Sequence, residues 1–354
     1  MTFLTIDWIL IIEKLALIII IILASLGIAL YTTFAERKVA AILQDRPGPN
    51  RAGPFGLLQP LADGVKMFTK EEIIPTHASK WLFILGPGLA MVASLMTCAV
   101  IPWGGSIELF DRKINLQVAD INIAVLYIFA VVSLGIYGIM IGGWASNNKF
   151  SLMAVLRAAS QAISYELAMG LSLIAVLMIT GTLSLGEMVK QQQVGYWNIV
   201  YQPLGFLLFF ICALAECNRT PFDLPEAESE LNFGYHQEYS SMKLGFYLFA
   251  EYINMIMSSA VMATLYFGGY DIPFVNDANL YNSIGNWAAL LQVGSILTKI
   301  VIFIFIFMWI RWTIPRFRYD QLMNLGWKKM VPLALFNMII TAFIVLLKQN
   351  GWRF

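Results

Sequence analysis

Apolar residues run along this chain in long stretches with few charges, separated by shorter polar segments that are alternately basic and nearly free of basic residues. About 18 or more consecutive apolar residues read as a transmembrane helix, because about 20 residues rising about 1.5 Å each are needed to cross the hydrocarbon. Eight spans are predicted, at about 12–34, 81–103, 121–143, 163–182, 202–217, 244–267, 290–311 and 330–348. The runs are too long and continuous for barrel strands. The pattern therefore predicts an all-α integral membrane protein in which residues 1–354 form a single membrane domain.

One segment changes period. Leu57, Leu58, Leu61, Val65 and Phe68 recur at helical spacing, with Asp63, Lys66 and Lys70 off that stripe. This predicts a short amphipathic helix over 57–70 lying in the membrane interface, its apolar side down. Asp63 and Lys66, three apart, are also placed to form an ordinary surface ion pair.

Composition agrees: 59% of residues are hydrophobic and 13% charged, against roughly 45–50% and about 25% in soluble domains. An even number of spans puts both termini on one side. With the N-terminus outside, the inside segments hold sixteen Lys and Arg and the outside segments six. The positive-inside rule then puts both termini away from the cytoplasm. The first run, 15–35, follows acidic Asp7 and Glu13 and is expected to be a span and not a signal peptide. Cys98, Cys212 and Cys217 lack metal-cluster spacing, and His77 and His236 both fall outside the spans. A cytochrome b-like protein, with haem held by histidines on its spans, is disfavoured. The chain carries no visible internal repeat, so an inverted-repeat transporter gains no support.

Charge concentrates where the spans meet the inside. The first inside loop opens Glu36-Arg37-Lys38 and continues through a Pro- and Gly-rich turn carrying Arg46 and Arg51. Two readings of those arginines stay open: fixed cations that dock another protein, or basic residues meeting lipid phosphates. The segment 216–230 holds five carboxylic acids, Glu216, Asp223, Glu226, Glu228 and Glu230, with Arg219 among them. Pro221 and Pro225 bar a regular helix there. An ordered loop is expected, and Glu226, Glu228 and Glu230 would face one side if it were extended.

A charge at the bilayer centre costs about 2.5–3.5 kcal/mol on insertion scales, so ionisable residues within spans are functional candidates. Here they are Glu166, Glu216, Glu251, Lys299 and, closing the seventh span, Arg311. At similar depth they would form a hydrated polar path opening to the inside. Neighbouring carboxylates raise one another's proton affinity, so such a cluster takes up or releases a proton when a nearby charge changes.

Several blocks carry a family resemblance: Glu36-Arg37-Lys38, the stretch from Arg46 to Lys70, Ser164-Tyr165-Glu166, the loop 216–230, Ala250-Glu251-Tyr252, and Trp309-Ile310-Arg311 followed by 315–323. Together they resemble the quinone-channel membrane subunit of respiratory complex I, the proton-pumping NADH:quinone oxidoreductase. The resemblance covers essentially the whole chain. It implies a subunit that docks the peripheral arm and forms the entrance and lower chamber for quinone, its substrate. It also implies that FMN and the iron–sulfur clusters reside in partner subunits and that this chain binds no cofactor. The implied partners are the peripheral quinone-site and terminal-cluster subunits, small membrane subunits and antiporter-like subunits, together with membrane lipid, in a bacterial inner membrane or its mitochondrial equivalent.

By position, Glu36, Arg37, Asp63, Lys66, Arg311 and Arg316 fall on the chamber and its entrance. Glu166, Glu216, Glu226, Glu228 and Glu251 fall on a carboxylate path coupling quinone reduction to proton movement, with Arg219, Asp223 and Glu230 in the same loop and Lys299 nearby in depth. The third span departs from the expected pattern in having no carboxylate between 121 and 148. Two other readings remain at this point: a related hydrogenase or dehydrogenase membrane module, and a free-standing ion transporter.

Overall fold

The computed structural model describes residues 8–109, 112–273, 275 and 284–350. Helices dominate, and their order follows the apolar runs. They are α1 (Trp8–Leu43), α2 (Gln59–Thr69), α3 (Lys80–Met96), α4 (Ala124–Ala145), α5 (Lys149–Thr180), α6 (Leu185–Val194), α7 (Asn198–Tyr201), α8 (Pro203–Glu216), α9 (Glu228–Leu231), α10 (Ser241–Tyr266), α11 (Trp287–Thr313), α12 (Tyr319–Asn324) and α13 (Val331–Gln349). A π-helical stretch, Leu325–Met330, joins α12 to α13. Strands β1 (Ser106–Leu109) and β2 (Arg112–Asn115) form an antiparallel hairpin after α3, in a segment whose sequence shows no clear pattern.

Among the described residues seven helices are long and apolar enough to cross a bilayer. The remaining predicted span, the fifth at 202–217, is the 14-residue α8. At about 1.5 Å per residue it is about 21 Å long, short of the roughly 30 Å hydrocarbon. The fourth span is longer than its apolar core suggests: α5 starts at Lys149, behind an Asn148 side chain that accepts from the Phe150 amide. Glu166 therefore lies about midway along the helix.

Helix α10 is the centre of the bundle, with 18 of its 26 residues buried. It packs on α1, α3, α8 and α11. The α3–α4 contact beside it is close because Gly86, Gly138 and Gly142 leave no side chain between the backbones: a Cβ on Gly138 would stand 2.7 Å from the Ala90 amide nitrogen. Small residues at such spacing are the usual device for close helix approach in lipid. The Tyr247 hydroxyl of α10 uses the gap to donate to the Gly138 carbonyl at 3.1 Å.

Helix α2 lies where its stripe predicts, with Leu57, Leu58, Leu61, Val65 and Phe68 all exposed as one apolar face. The acidic segment is ordered and largely buried: Phe222, Leu224 and Ala227 are each at most 3% exposed.

Candidate functional site

The loop between α8 and α10 is drawn into the bundle by groups from three neighbours. Gln161 on α5 donates to the carbonyls of Ala215 and Phe222, both at 2.8 Å. Arg316 donates to the Asp223 carbonyl and stands 3.9 Å from its carboxylate, and the Phe317 amide donates to the Pro221 carbonyl at 3.2 Å. Gly234, at φ +60°, lets the chain turn against the Pro225 carbonyl, which would lie 1.9 Å from any Cβ there. The extended arrangement of Glu226, Glu228 and Glu230 does not form. Ala227 takes a left-handed conformation and α9 follows it, so Glu226 faces His236 while Glu230 pairs with Arg157 of α5. The backbone of Glu228 opens α9; its side chain lies outside the described residues.

Beside the loop, α1, α2, α10 and α11 enclose a cavity of about 270 Å³ lined by Glu36, Arg37, Asp63, Phe249, Tyr252, Arg311 and Trp312. Asp63 pairs with Arg37 across the α1–α2 gap at 2.7 Å, so the Asp63–Lys66 surface pair is not the arrangement found. Lys66 is exposed and does not line the cavity.

Glu36, buried on α1, is the hub of its wall. It accepts from the Tyr252 hydroxyl at 2.7 Å and from Arg311, and Arg219 approaches to 3.8 Å. The Arg219 guanidinium lies over the Tyr252 ring, 4.2 Å from its centroid, and its other arm is 3.5 Å from Glu251. One buried cation thus spans a carboxylate at the cavity and a carboxylate inside the bundle. Its acidic neighbours and Tyr252 hold Arg219 protonated against the opposing cost of its burial. Tyr235 donates to Glu251 at 2.9 Å, completing that carboxylate's surroundings with Arg219 and His236.

Deeper in, a small cavity of about 30 Å³ joins Glu251 to Glu216, lined also by Ser94, Asn218, Tyr235 and Asn254. A second, about 40 Å³, continues from Glu216 past Asn254 and Ser258 towards Phe129 and Met169. Each has room and polar partners for a water molecule. Beyond them the Ser133 hydroxyl, on the carboxylate-free α4, donates to Glu166. Glu166 opens on a groove formed by Ile163, Leu167, Gly170, Leu171 and Ile174 at the edge of the chain.

The structure thus brings Glu36, Arg219, Glu251 and Arg311 together, with Glu216 and Glu166 following in sequence. Lys299 is not with them. Its ammonium donates to the carbonyls of Phe267, Gly269 and Asp271, capping the C-terminal end of α10; the common depth inferred from the spans does not hold for it. Arg46 and Arg51 are exposed on the loop between α1 and α2, Arg46 bonded to Gln44.

Tyr235, Tyr252, His236, Ser133 and Gln161 escaped the sequence reading. Ser133 and Gln161 had a signal, being polar side chains within or entering apolar helices. Tyr252 adjoins Glu251 in sequence and Tyr235 adjoins no glutamate; only the tertiary fold aims their hydroxyls.

Asp223 and His236 are among the strongly perturbed groups of the loop. Burial pushes the Asp223 carboxyl up to about 8, the Glu226 charge adding to this and Arg316 opposing it. Burial lowers His236 to about 3, with the Arg219 charge acting in the same direction.

The NADH dehydrogenase family model matches residues 15–342. The chain is 66% identical to an H-type subunit (the first of that type) of NADH-quinone oxidoreductase from Cytophaga hutchinsonii, over 95% of its own length and 97% of the relative's. It is 59% identical to the H-type subunit of Flavobacterium johnsoniae over 95% and 96%, and 47% identical to the first H-type subunit of Geobacter metallireducens over 95% and 96%. The chain belongs to the family of H-type subunits of NADH-quinone oxidoreductase. As a member of it, this multi-pass membrane protein is one component of an enzyme complex, complex I.

Proposed function

We propose that this subunit forms the membrane-level quinone access chamber of its complex and the first part of the proton-coupling path, in a bacterial inner membrane with both termini on the periplasmic side. The cavity framed by Glu36, Arg37, Asp63 and Arg311 is the entrance. It has apolar walls at Leu248, Phe249 and Trp312 for an isoprenoid chain and polar groups at one end for a quinone head. FMN and the iron–sulfur clusters belong to partner subunits, and the peripheral arm docks on the inside loops carrying Arg46 and Arg51.

The observation that carries this reading is the Glu36–Arg219–Glu251 bridge, because it gives chemistry at the cavity a direct electrostatic handle on the interior. Reduction of a quinone consumes two electrons and two protons. When the polar groups around the head change charge, the Arg219 guanidinium shifts its balance between Glu36 and Glu251. A carboxylate that loses its cation in a poorly hydrated site favours protonation. Glu251, Glu216 and Glu166 would then pass a proton, or the influence of its charge, to the groove on α5, where the small membrane subunits are expected to meet the chain. Ser133 supplies on α4 the polar group that no carboxylate provides.

Glu216→Gln tests this in the assembled complex in proteoliposomes. Pumping driven by quinone reduction should fall at least about tenfold, the equivalent of about 1.4 kcal/mol on one step, while the iron–sulfur spectrum stays intact. Pumping at the parent rate would remove Glu216 from the path.

A further inference from the structure

Between partly exposed Glu226 and buried Glu251 stands His236, whose ring the coupling path as set out above does not use. Its side chain is fully buried, and neither ring nitrogen has a hydrogen-bond partner among the described residues. The two nitrogens face different carboxylates. Nδ1 is 3.7 Å from Glu226 Oε1, and Nε2 is 4.0 Å from Glu251 Oε1. Tyr235, Phe233 and Tyr247 surround the ring at centroid distances of 3.9, 5.5 and 5.6 Å and fix its orientation. Leaving both nitrogens of a buried imidazole unpaired costs folding free energy, since buried polar groups are otherwise nearly always bonded.

We propose that His236 is a proton relay between Glu226 and Glu251, loading the interior carboxylates from the inside surface. The proposal rests on the coupling path described above. As a proton passes from the Glu226 carboxyl to Nδ1, the proton on Nε2 passes to the Glu251 carboxylate. The ring begins and ends neutral, one proton leaves Glu226 and one arrives at Glu251, and a ring flip restores the starting tautomer. Neutral imidazole suits this because one nitrogen donates while the other accepts. The depressed proton affinity of His236 keeps it in that form at pH 7. Both gaps exceed the usual hydrogen-bond length of about 3 Å by about 1 Å or less, and catalytic contacts commonly close only in the working state. Glu226 is reached from outside the bundle, its side chain being 14% exposed, whereas Glu251 is 6% exposed. The relay thus joins a hydrated carboxyl to a buried one.

The test compares His236→Gln with His236→Glu in the assembled complex, two side chains of equal size of which only the second exchanges a proton. Assembly is read from the iron–sulfur spectrum and pumping from acidification inside inverted vesicles. A relay predicts a fall of at least about fivefold for Gln and recovery of at least half the parent rate for Glu; about fivefold corresponds to about 1 kcal/mol on the limiting step. A purely structural histidine predicts the reverse order, with uncharged Gln tolerated and Glu not, and that order would overturn the proposal. So would parent-level pumping with Gln. Glu226→Gln, at a partly exposed position, carries the test if neither His236 variant assembles. It should cut pumping as far as His236→Gln is expected to, and parent-level pumping would refute the relay. Glu216→Gln run in parallel separates the two claims: if it stops pumping while Glu226→Gln and His236→Gln do not, the relay fails and the path stands. If Glu216→Gln pumps normally, the path itself fails.

Discussion

Asp223 shows how a single residue records the docking of the acidic loop. Its carboxyl is buried, with Glu226 near it, and holds its proton up to about pH 8 against an ordinary value of 3.8. The docked loop therefore binds this proton more tightly than a solvated loop would. Docking is favoured at low pH and weakens progressively as pH rises from about 4 through about 8. Asp223→Asn, which keeps the shape of the neutral acid, should remove that dependence. Limited proteolysis of the loop at pH 6 and pH 9 measures it: the parent is expected to be cut faster at pH 9 and the variant equally at both. His236 contributes with the opposite sign, losing docking strength as pH falls from 6.5 towards 3, and so leaves the alkaline window to Asp223. The acids of this loop were conspicuous in the sequence because carboxylates and prolines rarely cluster beside apolar spans. Their individual partners were not, since Arg157, Arg219 and Arg316 reach them from elsewhere in the chain or across a turn whose shape the prolines alone do not define.

At the level of elements, the apolar runs located the long helices, because lipid imposes a length and an absence of charge that a sequence displays openly. Helix ends were harder. The first four turns of α5 carry Lys149, Arg157, Ser160 and Gln161, so no apolar run announces them; they are helical because one face packs on the loop and on the turn at 234–236. Helix packing was also hidden, although its means were present as glycines. Gly142 faces the Tyr247 hydroxyl, which a Cβ would approach to 1.8 Å. Gly142→Ala must push α10 from α4 or swing Tyr247 off the Gly138 carbonyl. Overpacking of this kind costs about 1–3 kcal/mol, and the expected outcome is a complex that dissociates several degrees below the parent on heating in detergent. An unchanged dissociation temperature would mean that the contact is readily relaxed. Gly294, within α11 and facing open space, is the matched control.

For the whole molecule, the proposed orientation rests on charge distribution alone and is open to direct measurement. Lys190 is exposed at the end of the bundle expected to face the periplasm, and the three native cysteines are buried, so background labelling should be low. Lys190→Cys is expected to react with a membrane-impermeant maleimide in right-side-out vesicles and to be protected in inverted ones; the opposite result would invert the assignment. Fold class and family membership were legible because both rest on long blocks of sequence. The site was legible in its carboxylates and arginines but not in its order, since proximity of Glu36, Arg219 and Glu251 needs three elements far apart in the chain. Lys299 is the counterexample to reading depth from span position: it serves the C-terminal end of α10, where carbonyls at a helix C-terminus attract a cation.

The shortness of α8 has an electrical meaning. In the orientation proposed above, a helix of about 21 Å that starts at the outer face would leave Glu216 about a third of the hydrocarbon thickness short of the inner surface. Moving a proton from the negative inside up to that carboxylate therefore crosses about a third of the membrane voltage. At about 2.3 kcal/mol per charge per 100 mV for a full crossing, this amounts to about 0.8 kcal/mol per 100 mV, or roughly a fourfold fall in occupancy. Imposed potassium diffusion potentials in proteoliposomes should slow the loading step by that modest factor. A steeper dependence would place the rate-setting charge movement farther along, in the neighbouring subunits.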